Sequence, residues 1–198
     1  MQNDIYPSQR MQNAFTLVEL LITLTIVGIL GAVAFPSYQS LMSVNRITTA
    51  VSSLHGALLL ARSEAIKRGS NVTICRSETA NNPIPQCSVT NSTIANTGWA
   101  DGWIIFNDLN RNGIYEPGNV PPDSLVMVQG RLSKDINDIS IMPNGNGLRF
   151  VTFGPTGQVF GAFVQLAVNR PSWDANASND RFICIASGGR ARVSKTSC

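Results

Sequence analysis

The segment AFTLVELLITLTIVGILGAVAF, Ala14 to Phe35, limits what this chain can fold into more than any other. From Phe15 to Phe35 it holds 21 residues and one charge, Glu19. At about 1.5 Å rise per residue, a helix of that length crosses the ~30 Å hydrocarbon core of a bilayer. It runs too long and starts too late for a secretory h-region, and no A-x-A cleavage site follows it. A carboxylate within such a helix costs about 2.5–3.5 kcal/mol on insertion scales, so Glu19 requires a partner. An ordinary single-pass anchor would leave that side chain unexplained.

The run FTLVELL (Phe15 to Leu21), behind a short polar leader and a small residue, resembles the type IV pilin family. The resemblance implies that a prepilin peptidase cuts between Ala14 and Phe15 and that the new amino terminus is methylated. The family usually carries Gly before the cut, where this chain has Ala14. Glu19 occupies the family's charged position and is implied to pair with the terminal amine of a neighbouring subunit. That pairing meets the physical requirement, since a buried carboxylate needs a cation and the segment has none. Pro36 falls where pilins carry a helix-bending proline.

The expected organisation is a leader over residues 1–14 and a transmembrane or filament-core helix over 15–35. An amphipathic continuation follows over 36–69, then an antiparallel β domain over 70–198. Ile47, Val51, Leu54, Leu58, Ala61 and Ala65 step by four and three, one apolar stripe along a helix. Gly69 after Lys67 and Arg68 is a fitting stop. The helix from Phe15 to Arg68 would be about 80 Å long, loosened or bent where Pro36 lacks an amide. Beyond it the pattern changes to strands: Asn71–Arg76, Trp99–Asn107, Ser124–Gln129, Ile139–Met142, Leu148–Phe153, Gln158–Val168, Arg181–Ala186 and Arg190–Val193. The fold class is therefore α+β, one long helix packed on an antiparallel sheet, type IV pilin-like. GW-x-x-F (Gly102 to Phe106), D-x-N-x-N-G (Asp108 to Gly113) and F-G-P-x-G (Phe153 to Gly157) resemble the FimT/GspH branch of minor pilins and pseudopilins.

Charged residues make up 14% of the chain and the net charge is +3, too small by itself to imply a nucleic-acid binder. Losing the leader removes Asp4 and Arg10 together and leaves that balance unchanged. The four cysteines, Cys75, Cys87, Cys184 and Cys198, would lie beyond the inner membrane in an oxidising compartment. Three pairings are open; Cys75–Cys87 with Cys184–Cys198 is favoured because each closes a short loop. A metal site has little support, with no C-x-x-C and His55 the only histidine.

The carboxy-terminal stretch from Arg181 holds Arg181, Arg190, Arg192 and Lys195 and no acid. Within it Gly189-Arg190-Ala191-Arg192 forms a G-R-x-R. In a strand Ala191 and Val193 would turn inward while Arg190 and Arg192 project together. Gly188 and Gly189 would leave room for a ligand backbone. Two guanidiniums, with Lys195 and Arg181, suit phosphate oxygens. In FimT-type minor pilins a carboxy-terminal G-R-x-R is implied to bind incoming double-stranded DNA during natural transformation, and Arg190 and Arg192 match it. The competing reading is a solvated strand face or a filament contact.

Asp108, Asn110, Asn112 and Gly113 have the opening spacing of a calcium loop, but the twelfth position is Asn119 and a tight hairpin turn explains the same residues. No metal and no cofactor are therefore expected. Catalysis has no support either: His55 lies beside the helix stripe, and neither a phosphate loop nor paired carboxylates in one motif stand out. The Asn-x-Ser/Thr triplets at Asn71, Asn91 and Asn176 suit a polar surface. The resemblance thus implies a non-enzymatic subunit of a Gram-negative type IV pilus. It would be a single-pass inner-membrane protein with a periplasmic domain, then part of a pilus at the cell surface. Its partners would be other pilins, minor pilins and the prepilin peptidase. The alternatives are a structural minor pilin that primes assembly without DNA, and a type II secretion pseudopilin.

Overall fold

The structure, a computed structural model, describes residues 16–89, 97–135, 138–144, 148–161, 163–171 and 180–198; of residues 36, 37, 39 and 40 it describes the backbone alone. One helix, α1 (Leu17–Arg68), opens the chain and is continuous through Pro36. The chain divides into two compact units, residues 1–41 and 42–198.

Within the first unit, Leu17–Phe35 is long and apolar enough to cross a membrane, with mean hydropathy 2.4 and every side chain exposed. The helix begins at a cap that the sequence reading overlooked. Thr16 Oγ1 accepts the Glu19 amide at 3.2 Å, the first half of a T-x-x-E capping box. Thr23 and Thr25 return their hydroxyls to the carbonyls of Leu20 and Leu21, so neither leaves a bare hydroxyl on this apolar surface.

In the second unit the predicted stripe is the core face: Ile47, Val51, Leu54, Leu58, Ala61 and Ala65 are at most 5% exposed, joined by Ala50 and Ala57. The helix closes as a Schellman motif. Gly69 N donates to Ile66 O and Ser70 N to Ala65 O, satisfying two of the last carbonyls. Glu64 lies one turn before the end, and the hydrogen bond from Arg68 holds its carboxyl below the ordinary range.

The stripe packs on two antiparallel sheets rather than the single sheet expected. The first, in order β3-β2-β1-β5, comprises β1 (Val72–Arg76), β2 (Trp103–Asn107), β3 (Ser124–Gln129) and β5 (Phe150–Phe153). The second, in order β4-β6-β7-β8, comprises β4 (Ser140–Pro143), β6 (Val164–Asn169), β7 (Arg181–Ile185) and β8 (Ala191–Ser194). Val72, Ile74, Trp103 and Ile105 join the helix stripe in the core. Alternate residues Cys75, Ile104 and Phe106 face the other way, into a smaller cluster with Cys87, Tyr115 and Phe150. Both faces of the first sheet are thus covered.

Two strand expectations and one surface expectation need correction. Trp99–Asn107 is not one strand: Trp99–Asp101 form a 3-10 turn before β2. Buried Asp101 accepts from Thr97 Oγ1 and from Arg131 Nη2, both at 2.6 Å, and these bonds hold the turn. Gln158–Val168 is also divided. Phe160 N donates to Thr152 O and Val159 N to Ser187 O, so this stretch bridges the two sheets before β6 begins. Asn71 is 7% exposed, not part of a polar surface.

Candidate nucleic-acid interface and amino-terminal motif

The carboxy-terminal basic segment is carried by β8, which lies at the edge of the second sheet and, among the described residues, pairs with β7 alone. Ile183 faces Val193 and Cys184 faces Arg192 across that ladder. Opposed residues share a face, so Ala191 and Val193 lie on the core side and Arg192 on the outer side with Cys184. Val193 is still 45% exposed, because cover runs out at this edge. Arg190 and Arg192 are both exposed and line one shallow concavity of about 360 Å³ with Phe163, Cys184 and Ala186.

The other two basic residues are placed differently. Arg181 is half-buried at the start of β7, on the same face as the buried Ile183, and donates from Nη1 to Asp180 O. It is therefore on the opposite face from Arg192. Lys195 is exposed in the turn just past β8, where Thr196 N donates to Ser194 Oγ.

The two disulfides pair Cys75 with Cys87 and Cys184 with Cys198, the pairing favoured from loop length. The second ties the chain terminus to the outer face of β7, and Cys198 N donates to Gln165 Oε1 on the adjoining strand.

What holds the G-R-x-R turn is a contact that sequence reasoning missed. Arg62 of α1 donates from Nε to Gly157 O at 3.0 Å and from Nη2 to Gly188 O at 3.2 Å. Seven residues, or two turns, earlier on the helix, His55 Nε2 donates to Ala191 O at 3.3 Å. The seven-residue spacing places both side chains along one line beside the apolar stripe, a signal that was present in the sequence. Gly189 has φ +78, and a β-carbon there would stand 1.8 Å from Gly157 O. The glycine is spent on packing against the F-G-P-x-G turn, not on admitting a ligand, which corrects the expectation for Gly189. Gly188 has open space around its α-carbon.

At the other end of the chain, Ala14 and Phe15 lie outside the described residues. Glu19 is exposed in the first turn of α1. Asp108–Gly113 does not form a tight hairpin turn. It opens a long connection from Asp108 to Asp123 between β2 and β3, with Arg111 at φ +61 and Gly113 at φ +71.

Comparison with known families and proteins places these features. The family model described as "Type II transport protein GspH" matches residues 50–192, and that described as "Prokaryotic N-terminal methylation motif" matches residues 9–35. A Pseudomonas aeruginosa "Fimbrial protein" is 43% identical over 61 residues, 31% of this chain. A Moraxella bovis "Type IV major alpha-pilin" is 32% identical over 102 residues, 46% of this chain. The chain spans 39% and 62% of the lengths of these two relatives. Among solved structures, the type IV minor pilin FimU of Pseudomonas aeruginosa superposes with a TM-score of 0.54 at 15% identity, over 78% of this chain and 93% of FimU. That likeness speaks for the fold. With a stripe-bearing helix on antiparallel sheets, a methylation motif ahead of it and the family model matched across most of the chain, the protein belongs to the GspH family of minor pilins and pseudopilins.

Proposed function

We propose that this protein is a minor pilin of a Gram-negative type IV pilus whose carboxy-terminal turn binds double-stranded DNA during uptake. The observation that carries the reading is the pair of exposed guanidiniums, Arg190 and Arg192, on one concavity of an edge strand whose preceding turn is pinned by Arg62. Guanidiniums suit phosphate oxygens, and a pinned turn lowers the entropy lost on binding. With Lys195, three phosphate contacts give a salt slope of about −3 and at best micromolar affinity at physiological salt. Phosphate contacts carry no sequence information, so sequence preference is slight. Arg181, on the other face of β7, is left out of this contact set.

The test is fluorescence anisotropy of a labelled duplex with the full chain in detergent micelles, beside Arg190→Gln, Arg192→Gln and the double variant. Each single change should shorten the salt slope by about one, and the double variant should abolish binding at physiological salt. Equal binding by the double variant removes the DNA reading.

Membrane insertion and assembly belong to the same proposal. The peptidase cuts between Ala14 and Phe15, the new amine is methylated, and Glu19 of one subunit pairs with that amine on the next. The protein then moves from the inner membrane, domain in the periplasm, into the pilus. Glu19→Ala should block incorporation into fibres while leaving the domain folded. The family description favours a second reading, a pseudopilin of type II secretion. In that case deletion of the gene stops secretion of an exported enzyme and leaves transformation intact. A priming minor pilin without DNA binding would instead lose piliation in the double arginine variant.

A further inference from the structure

The β2–β3 connection holds three carboxylates, Asp108, Glu116 and Asp123, and none of them takes part in an ion pair recorded among the described residues. The one cation in the connection, Arg111, lies over the Phe160 ring at 4.9 Å. Asp108 is fully buried. Its Oδ2 accepts from Thr73 Oγ1 at 2.7 Å and from Gly113 N at 3.0 Å, while its Oδ1 has no partner. Oδ2 is bonded to the loop's own Gly113 N, so the carboxyl group as a whole sits against the loop, with Oδ1 as its unpartnered oxygen. An orphaned oxygen on a buried carboxylate is unfavourable, and among the described residues no donor offsets it.

The remaining loop groups are oxygens arranged around the same turn. Asn110 and Asn112 direct their amide nitrogens to Glu116 Oε2, at 3.1 and 2.7 Å, so Glu116 closes the turn from the far side. Their Oδ1 atoms accept the amides of Asn112 and Ile114, and each keeps a second lone pair. Asp123 accepts from Leu109 N and Glu116 N.

We propose that this connection binds a calcium ion, with Asp108 Oδ1 as the anchoring ligand and Asn110, Asn112, the Ile114 carbonyl and Glu116 completing an oxygen shell. Among the described residues no group of three or more His, Cys, Asp or Glu side chains is arranged to hold a metal, so the shell proposed here depends on amide and backbone oxygens beside the carboxylates. Calcium accepts amide and backbone carbonyl oxygens beside few carboxylates. The spacing 1, 3, 5, 7 and 9 from Asp108 is that of a calcium loop, and Gly113 stands at the sixth place with the positive φ its sharp turn needs. The bidentate acid of the twelfth place is absent, Asn119 standing there, so affinity falls in the range of extracellular modules, roughly 10⁻⁴–10⁻³ M.

The experiment uses the full chain in detergent. Terbium is added as the probe, with Tyr115 beside the ninth-place ligand as the luminescence donor, and calcium is then titrated against it. Sensitised terbium emission should appear and be displaced by millimolar calcium, and Tm should rise by about 3 °C in 10-fold excess of calcium over its Kd but not in magnesium. Asp108→Asn should lose both responses. Because that change touches the Thr73 bond, Glu116→Gln serves as the second variant. It should keep its melting temperature in chelator while its calcium midpoint moves up about 10-fold. No calcium response up to about 10 mM, an equal response to magnesium, or a response unchanged in both variants overturns the site.

Discussion

The α-carbon of Gly189 faces the carbonyl oxygen of Gly157 so closely that a β-carbon built on it would stand 1.8 Å away. Two turns distant in sequence, Gly154–Gly157 and Ala186–Gly189, are thus locked backbone to backbone, with Gly157 N bonded to Gly154 O and Gly189 N to Ala186 O. Gly189→Ala adds both this clash and a positive φ, a conformation costing about 1–3 kcal/mol for a side-chain-bearing residue. The substitution should lower stability by at least 2 kcal/mol and displace Arg190. Denaturant melts check the first effect. A variant as stable as the unmodified chain would show that the two turns are free to separate.

Arg62 joins the same two turns from the helix side. Arg62→Met keeps the apolar stem and removes both carbonyl contacts. Hydrogen bonds from a charged donor contribute about 1.5–3 kcal/mol when buried, and partial exposure here reduces the loss to about 1–2 kcal/mol in all. DNA affinity should fall because the turn loosens, while the salt slope stays near that of the unmodified chain, since Arg62 touches no phosphate. A slope shortened by a full unit would instead make Arg62 part of the contact surface.

Much of this architecture was legible because it is local. The helix stripe from Ile47 to Ala65 follows a 3.6-residue period, and Ser124–Gln129 is β3 with the bounds expected from its turn signals. The division into two sheets was not legible, because it depends on which distant strands pair: β1 between β2 and β5, and β6 between β4 and β7. The arginine pair was readable from alternation in one strand. The separation of Arg181 from it was not, since that depends on the register of β7 against β8 and on which face meets the helix. Arg62 was readable only as a position in line with His55 beside the stripe, and its partners were not. A long cation on a helix usually reaches water, and only the tertiary arrangement brings glycine carbonyls within its range.

Removing the terminal disulfide should separate stability from DNA contact. The Cys184–Cys198 bond closes a 14-residue separation, for which the chain-entropy estimate is about 3 kcal/mol. Cys184→Ser with Cys198→Ser should lose close to that amount in urea melts and free the end that carries Lys195. Affinity for duplex should drop less than in the double arginine variant, because β8 keeps its ladder to β7. A loss equal to that of the arginine variant would mean the tail itself forms the contact.

The clearest pH effect centres on Asp138. Burial acts first and would raise its carboxyl, but the Ser133 hydroxyl and the guanidiniums of Arg46 and Arg170 outweigh it and hold the group below the usual range. A carboxyl whose folded pKa lies below its unfolded value stabilises the fold fully above the unfolded pKa, near 3.9, and loses that contribution as pH falls through the folded value. Asp123 has the opposite sign. Its folded pKa is raised, so its unfavourable contribution at neutral pH is relieved as pH falls through that folded value. Stability should therefore hold or rise slightly on acidification until about pH 4 and then drop. Asp138→Asn should cost about 2 kcal/mol or more at pH 7, since it removes the buried carboxylate charge that Arg46 and Arg170 both contact. The variant should also flatten the drop below pH 4, which urea melts at pH 7, 5 and 3.5 would resolve. An acid limb as steep as that of the unmodified chain would assign the loss to other carboxylates.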